Sequence, residues 1–265
     1  MNIFLHELRS YRKSTIIWLV SLIAVMALFM SMFPAFAKDA EEFAKLLKGY
    51  PEPLRKALGM DLENLFTILG FYSYALTFIV LIGAIQAMNI GVSIVSKEVR
   101  EKTADFLLTK PVKRTTILTA KLLAAVLSLV ITNIVYTAAA VAMASSVKTE
   151  DYSMEIFILL GLTVFLTQVI FLAIGIAVSV MVRKIKSVLT VSLATVFSFY
   201  FIGMIGSSTD KENVRYFSPF KYFDTAYIMN HSGYEAAYLV AGAVIIVIAV
   251  AASYTVYIKK DIHAV

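Results

Sequence analysis

Cysteine is absent from this 265-residue chain, which rules out disulfides, thiolate catalysis and cysteine metal sites. Histidine is nearly absent too. His6, His231 and His263 are far apart and lie outside the long apolar runs, so neither a metal cluster nor a histidine general base is expected. No glycine is followed by lysine, so G-x-x-x-x-G-K-[ST] matches nowhere and the chain holds no P-loop to hydrolyse ATP. Glu98 and Glu101 are close in sequence, but with no histidine or metal motif beside them they read as a solvated face, not paired catalytic carboxylates. Charged residues make up 16%, against about 25% in soluble domains. None falls in the interior of the apolar runs, which argues against an ion-coupled carrier with titratable groups at membrane depth. Sodium sites built from carbonyls and hydroxyls stay open.

What the chain does have is apolar length. It is 60% hydrophobic with a mean hydropathy of +0.81, the composition of a membrane protein. Six runs, at about 16–37, 67–95, 121–147, 155–182, 187–207 and 236–258, reach the roughly 20 residues needed to cross a 30 Å hydrocarbon core. The first follows Arg9, Arg12 and Lys13 and ends near an Ala-Phe-Ala, as a secretion signal would. Its 21 residues from Ile16 to Phe36 exceed the apolar stretch of a cleavable signal, so it is read as a retained span. Before it, Phe4, Leu8 and Tyr11 fall opposite the three basic residues. That pattern predicts an N-terminal interfacial helix lying on the membrane surface, or a plain basic anchor. An even number of spans puts both termini on one side. With the termini cytoplasmic, the inner connections hold 15 basic and 5 acidic residues and the outer ones 9 and 13, so the positive-inside rule sets that orientation.

The connections have texture. Pro51, Pro53 and Gly59 cut the 38–66 loop into short amphipathic pieces, expected to be helices packed over the bundle. The 208–235 connection carries Ser218-Pro219-Phe220 among many aromatics, which predicts a partly embedded cap or re-entrant pair, or an aromatic belt. Within the spans, Gln86, Asn89, Asn133 and Gln168 are candidates for a translocation path, and equally for hydrogen bonds between helices, the commoner use of neutral polar groups in bundles. Gly83, Ala87 and Gly91 form a small-residue ladder that admits another helix closely, in the same bundle or in a second subunit.

The most ordered polar stretch is Ile94 to Lys121. As a helix from about 96 to 109 it places Glu98, Glu101, Lys102 and Asp105 on one face and Val99, Thr103, Phe106 and Leu107 on the other, before Pro111 ends it. Such a helix is built to dock, or else is a solvated linker running parallel to the membrane. The residues Lys97-Glu98-Val99-Arg100-Glu101-Lys102-Thr103, Phe106-Leu107-Leu108 and Pro111-Val112-Lys113-Arg114, then Ile117 and Lys121, resemble the cytoplasmic signature of ABC-2 type permeases, the six-span membrane subunits of bacterial ABC exporters. Lys102 stands where that signature has glycine, and Lys113 where it has serine. The resemblance implies an all-α membrane fold of one transmembrane domain, with a coupling helix between spans 2 and 3. It implies docking on ABC ATPase subunits by Glu98, Arg100, Glu101, Phe106 and Leu107, with Arg114 pairing acidic or headgroup groups nearby. It implies a second permease copy or a paralogous permease as dimer partner, and a place in the bacterial cytoplasmic membrane. ATP and Mg would belong to the partner; no cofactor, metal or nucleic acid is expected here. A scaffold that recruits a cytoplasmic protein through the same helix, without transport, is the rival reading.

Overall fold

The structure, a computed structural model, describes residues 3–57, 64–100, 112–182, 185–208 and 215–259. Among these there is no strand. The helices are α1 (Ile3–Lys38), α2 (Ala40–Lys48), α3 (Glu52–Ala57), α4 (Ile68–Arg100), α5 (Arg114–Val147), α6 (Met154–Met181), α7 (Val188–Ser208), α8 (Thr225–His231) and α9 (Ala236–Lys259), with a 3-10 turn at Pro219–Lys221. Six of them, α1, α4, α5, α6, α7 and α9, are long and apolar enough to cross a membrane, and they match the six runs.

In hydrocarbon every backbone group must be bonded internally, so runs of this length close into helices whatever their side-chain order. Which helices take the centre is a separate matter. Two-thirds of the apolar stretch of α4 and 61% of that of α6 are buried, against 22%, 22% and 17% for α1, α7 and α9. So α4 and α6 form the axis, α1 packs on α5, α7 lies against α4, and α9 lies against α6 and touches α5. The ladder predicted on α4 meets α6 within the bundle. A Cβ on Gly91 would lie 2.6 Å from the Leu172 carbonyl oxygen and 2.9 Å from the Gly175 Cα, so the two backbones touch. Only glycine fits at this crossing.

The N-terminal segment departs from expectation. Ile3–Lys38 is one unbroken helix of 36 residues, about 54 Å long, so no separate interfacial helix precedes the first span. Phe4, Leu8 and Tyr11 face the bundle's own core near one end, not the acyl boundary. The stripe continues as Leu22, Met26, Met30 and Phe33, all buried, so a single face of α1 is packed from end to end. The 38–66 loop does form short helices, with α2 folded back on α1 through stacked Phe36 and Phe43 rings 4.3 Å apart and α3 lying against α7.

The connection between α7 and α9 descends into the bundle. Ser218 is fully buried and its Oγ donates to the Phe199 carbonyl at 2.7 Å, while the Phe220 ring sits 5.0 Å from Phe171. Phe171 lies 17 residues, roughly 25 Å, into α6, so the 3-10 turn is an embedded cap. The chain then climbs back through α8. Asp224 caps that helix by accepting from the Tyr227 N–H, Ser232 ends it in the left-handed region, and the Tyr234 hydroxyl donates to the Leu159 carbonyl at 2.6 Å. Arg215 pins the cap by a two-pronged bond to Glu235 (2.7 and 3.3 Å) while lying 4.1 Å over the Tyr238 ring.

Candidate functional site: the base of the bundle and its polar seam

The ends of the 97–113 segment are held at the end of the bundle where α1 begins and α9 ends. α4 runs to Arg100 without a break, so the helix expected to start at Ser96 is at first a continuation of the second span. Along this exit the Ser179 Oγ of α6 accepts from the Val95 and Ser96 N–H groups, at 3.1 Å each. Lys97 Nζ reaches the Ser10 Oγ of α1 at 2.6 Å. The return is tied as firmly. Lys113, in extended conformation, starts α5, and the Arg114 guanidinium donates to the Tyr257 and Ile258 carbonyls at the end of α9, at 3.4 and 3.3 Å. A cation on the last carbonyls of a helix meets its negative dipole end.

Two turns into α5, Lys121 is buried among three helices. Its ammonium donates to the Ile94 carbonyl of α4 at 2.8 Å and lies 3.6 Å from the Glu7 carboxylate of α1. In the sequence Lys121 is only the first residue of the third span, and Glu7 has no expected role. The signal was there: Glu7 is the only acidic residue before the first apolar run, and Lys121 stands alone at the head of the third.

Of the expected docking residues, Arg114 is placed as described. Glu98 and Arg100 belong to the last turn of α4, and Glu101, Phe106 and Leu107 lie outside the described residues, as does the rest of the 96–109 helix from residue 101.

Midway along the bundle, three of the four path candidates meet. Asn133 Nδ2 donates to Gln168 Oε1 and to the Leu129 carbonyl; Gln168 Nε2 donates to Gln86 Oε1 at 3.1 Å; Gln86 Nε2 donates to Thr132 Oγ1 at 3.2 Å. Thr132 passes the chain to the Ser128 carbonyl, and Ser128 shares a 2.6 Å bond with Thr15 of α1. Gln86 and Gln168 are wholly buried, so in this arrangement their amides join α4, α5 and α6. Gly83 makes the room, since a Cβ there would stand 3.0 Å from the Gln168 Nε2. Asn89, one turn further along α4, is half-buried and outside this chain of bonds. The seam continues towards the far end as the fully buried Tyr72 and Tyr136 hydroxyls, which lie against each other without the geometry of a full hydrogen bond.

Among the described residues no group of three or more His, Asp or Glu side chains is placed to hold a metal, and His231 is spent stacking on Tyr227 at 4.1 Å. What is built here is a polar segment whose two ends join α4 and α5 and are bonded to α1, α6 and α9. Compared with known families, residues 1–262 match the ABC-2 family transporter protein family.

The chain belongs to the ABC-2 transporter family.

No curated protein matches it. Membership makes the chain a multi-pass permease, a membrane component that is not itself the ATPase, in a family whose permeases work with ABC ATPases. That division agrees with a sequence that contains no P-loop.

Proposed function

We propose that this permease forms the translocation path of an exporter driven by ATP hydrolysis in a separate ABC ATPase, which docks on the 96–109 segment at the cytoplasmic face. The observation that carries the reading is the double anchorage of that segment. α4 leads into it from the bundle axis, and α5 leaves it through Arg114 and Lys121, so a push on the segment reaches five helices together. Motion passed through packed elements with few internal degrees of freedom is how chemistry in one chain becomes work in another. The charge count supports placing this end, with both termini, in the cytoplasm of a bacterial cell. The weakly buried faces of α1, α7 and α9 leave surface for lipid and for a second permease copy or a paralogous one.

Docking is assigned to Glu98, Arg100, Glu101, Phe106 and Leu107, with Arg114 bracing the return; ATP and Mg bind the partner. The test is co-purification of the ATPase with a permease carrying Phe106→Asp and Glu101→Arg. Loss of association, or association with no stimulation of ATP hydrolysis, is expected. Unchanged association and stimulation would sink the assignment. The scaffold alternative predicts association with no permease-dependent ATP hydrolysis in the parent chain.

A further inference from the structure

Lys121 and Glu7 form a buried ion pair in the terminal half of the bundle, with 3% and 12% of their side-chain surface exposed. A buried ammonium persists only where charge and hydrogen bonds replace water. Here the replacements come from two other helices: the Glu7 carboxylate of α1, and the Ile94 carbonyl of α4, six residues before the last described residue of that helix. One side chain on α5 thus ties all three helices. Lys97 to Ser10 and Thr15 to Ser128 add further links between α1 and the α4/α5 pair within a few turns. Beyond these links α1 runs on unbroken past Phe33, its packed stripe touching the core all the way to the opposite end.

We infer that Glu7 and Lys121 are positioning residues of the transport cycle. They clamp the N-terminal third of α1 to the two helices that flank the 97–113 segment, and a displacement delivered there is carried along α1 to the opposite end of the bundle. The inference rests on the coupling reading above. A passive staple would use the same contacts, and the two differ in what happens when nucleotide binds.

The test uses the full permease–ATPase complex. Glu7→Gln with Lys121→Met removes both charges at nearly constant volume, a replacement that buried ion pairs commonly tolerate. The chain has no cysteine, so Arg9→Cys and Leu123→Cys, both exposed on α1 and α5, accept spin labels cleanly. In the parent, one narrow distance is expected with or without a non-hydrolysable ATP analogue. In the neutral pair the distribution broadens when nucleotide is added. Stimulation of ATP hydrolysis falls at least about fivefold, the lower range of inter-site coupling, while the ATPase still co-purifies. Lys121→Arg, which keeps the charge, restores most of the stimulation and serves if the neutral pair does not fold. Retained stimulation and a narrow distance in the neutral pair, or no difference between Lys121→Arg and Lys121→Met, would overturn the inference. Failure of the coupling reading is distinguished by the Phe106→Asp, Glu101→Arg complex: if that keeps association and stimulation, docking lies elsewhere, and the α1–α5 distances still decide whether those helices move as one body.

Discussion

Replacing Gly175 by alanine is a sharp test of how this bundle is held together. Its Cβ would stand 2.9 Å from the Met88 carbonyl oxygen and 3.0 Å from the Gly91 Cα, both backbone atoms of α4. Ordinary contact starts near 3.4 Å and backbone cannot swing aside, so α4 and α6 must part by about half an ångström along their largest interface. A gap of that size forfeits a quarter or more of the dispersion energy of the atoms lining it. In lipid no hydrophobic force pulls helices together, so lost packing is lost stability. Overpacking of this kind costs about 1–3 kcal/mol, partly offset by the ~0.5–1 kcal/mol that alanine contributes over glycine in a helix. A net loss of about 1–2 kcal/mol lowers the melting midpoint by roughly 2–8 °C in a chain of this size. The assay is size-exclusion chromatography of the detergent-purified protein after graded heating, with Gly233→Ala as control, since a Cβ there meets only the His231 carbonyl at 3.7 Å. Pairing Gly91→Ala with Gly175→Ala should cost less than the sum of the two, because one parting of α4 from α6 relieves both clashes. A Gly175→Ala protein as stable as the Gly233→Ala control would refute the close α4–α6 crossing.

The cap offers two further checks. Glu235→Gln breaks the charged half of the fork on Arg215 in a part-buried site, and a loss of about 1–2 kcal/mol is expected, read as a fall in melting midpoint. An unchanged midpoint at low salt would show that the cap is held by Ser218 and the aromatics alone. Burial pushes the Tyr234 hydroxyl up to about 12, so the folded protein holds this proton more tightly than the unfolded chain. Its contribution is therefore complete below pH about 10 and fades as pH rises towards 12. Melting midpoints measured from pH 9 to 12 should converge between parent and Tyr234→Phe, with the parent more stable at the lower end; parallel curves would exclude the linkage.

Much of the architecture was legible because a membrane leaves a run of twenty apolar residues few choices. The six runs and the short helices of the 38–66 loop were readable from composition and turn residues, whereas the Ser-Pro-Phe stretch fitted a cap and an aromatic belt alike until Ser218 was seen bonded to the Phe199 carbonyl. Of the two readings of Phe4, Leu8 and Tyr11, the continuous α1 fits the basic anchor and not a separate surface helix. An apolar face beside basic residues looks the same whether it meets lipid or other helices, and here it meets α5 and the core. Gln86, Gln168 and Asn133 were picked out as polar residues in apolar runs, but their meeting depends on three helices arriving in one register.

The sequence by itself determined that the chain crosses a membrane six times, that it carries no ATP-hydrolysing loop, and where its basic residues gather. These follow from local counts, since the hydrocarbon core sorts residues by polarity and length alone. Only the tertiary structure decided that α4 and α6 form the axis, that Gly91 faces Gly175, and that Glu7 finds Lys121 across 114 residues of chain. Lipid-facing and helix-facing surfaces are equally apolar, so partners in a membrane are chosen by shape and by a few buried polar atoms, and those matches exist only once the helices are assembled.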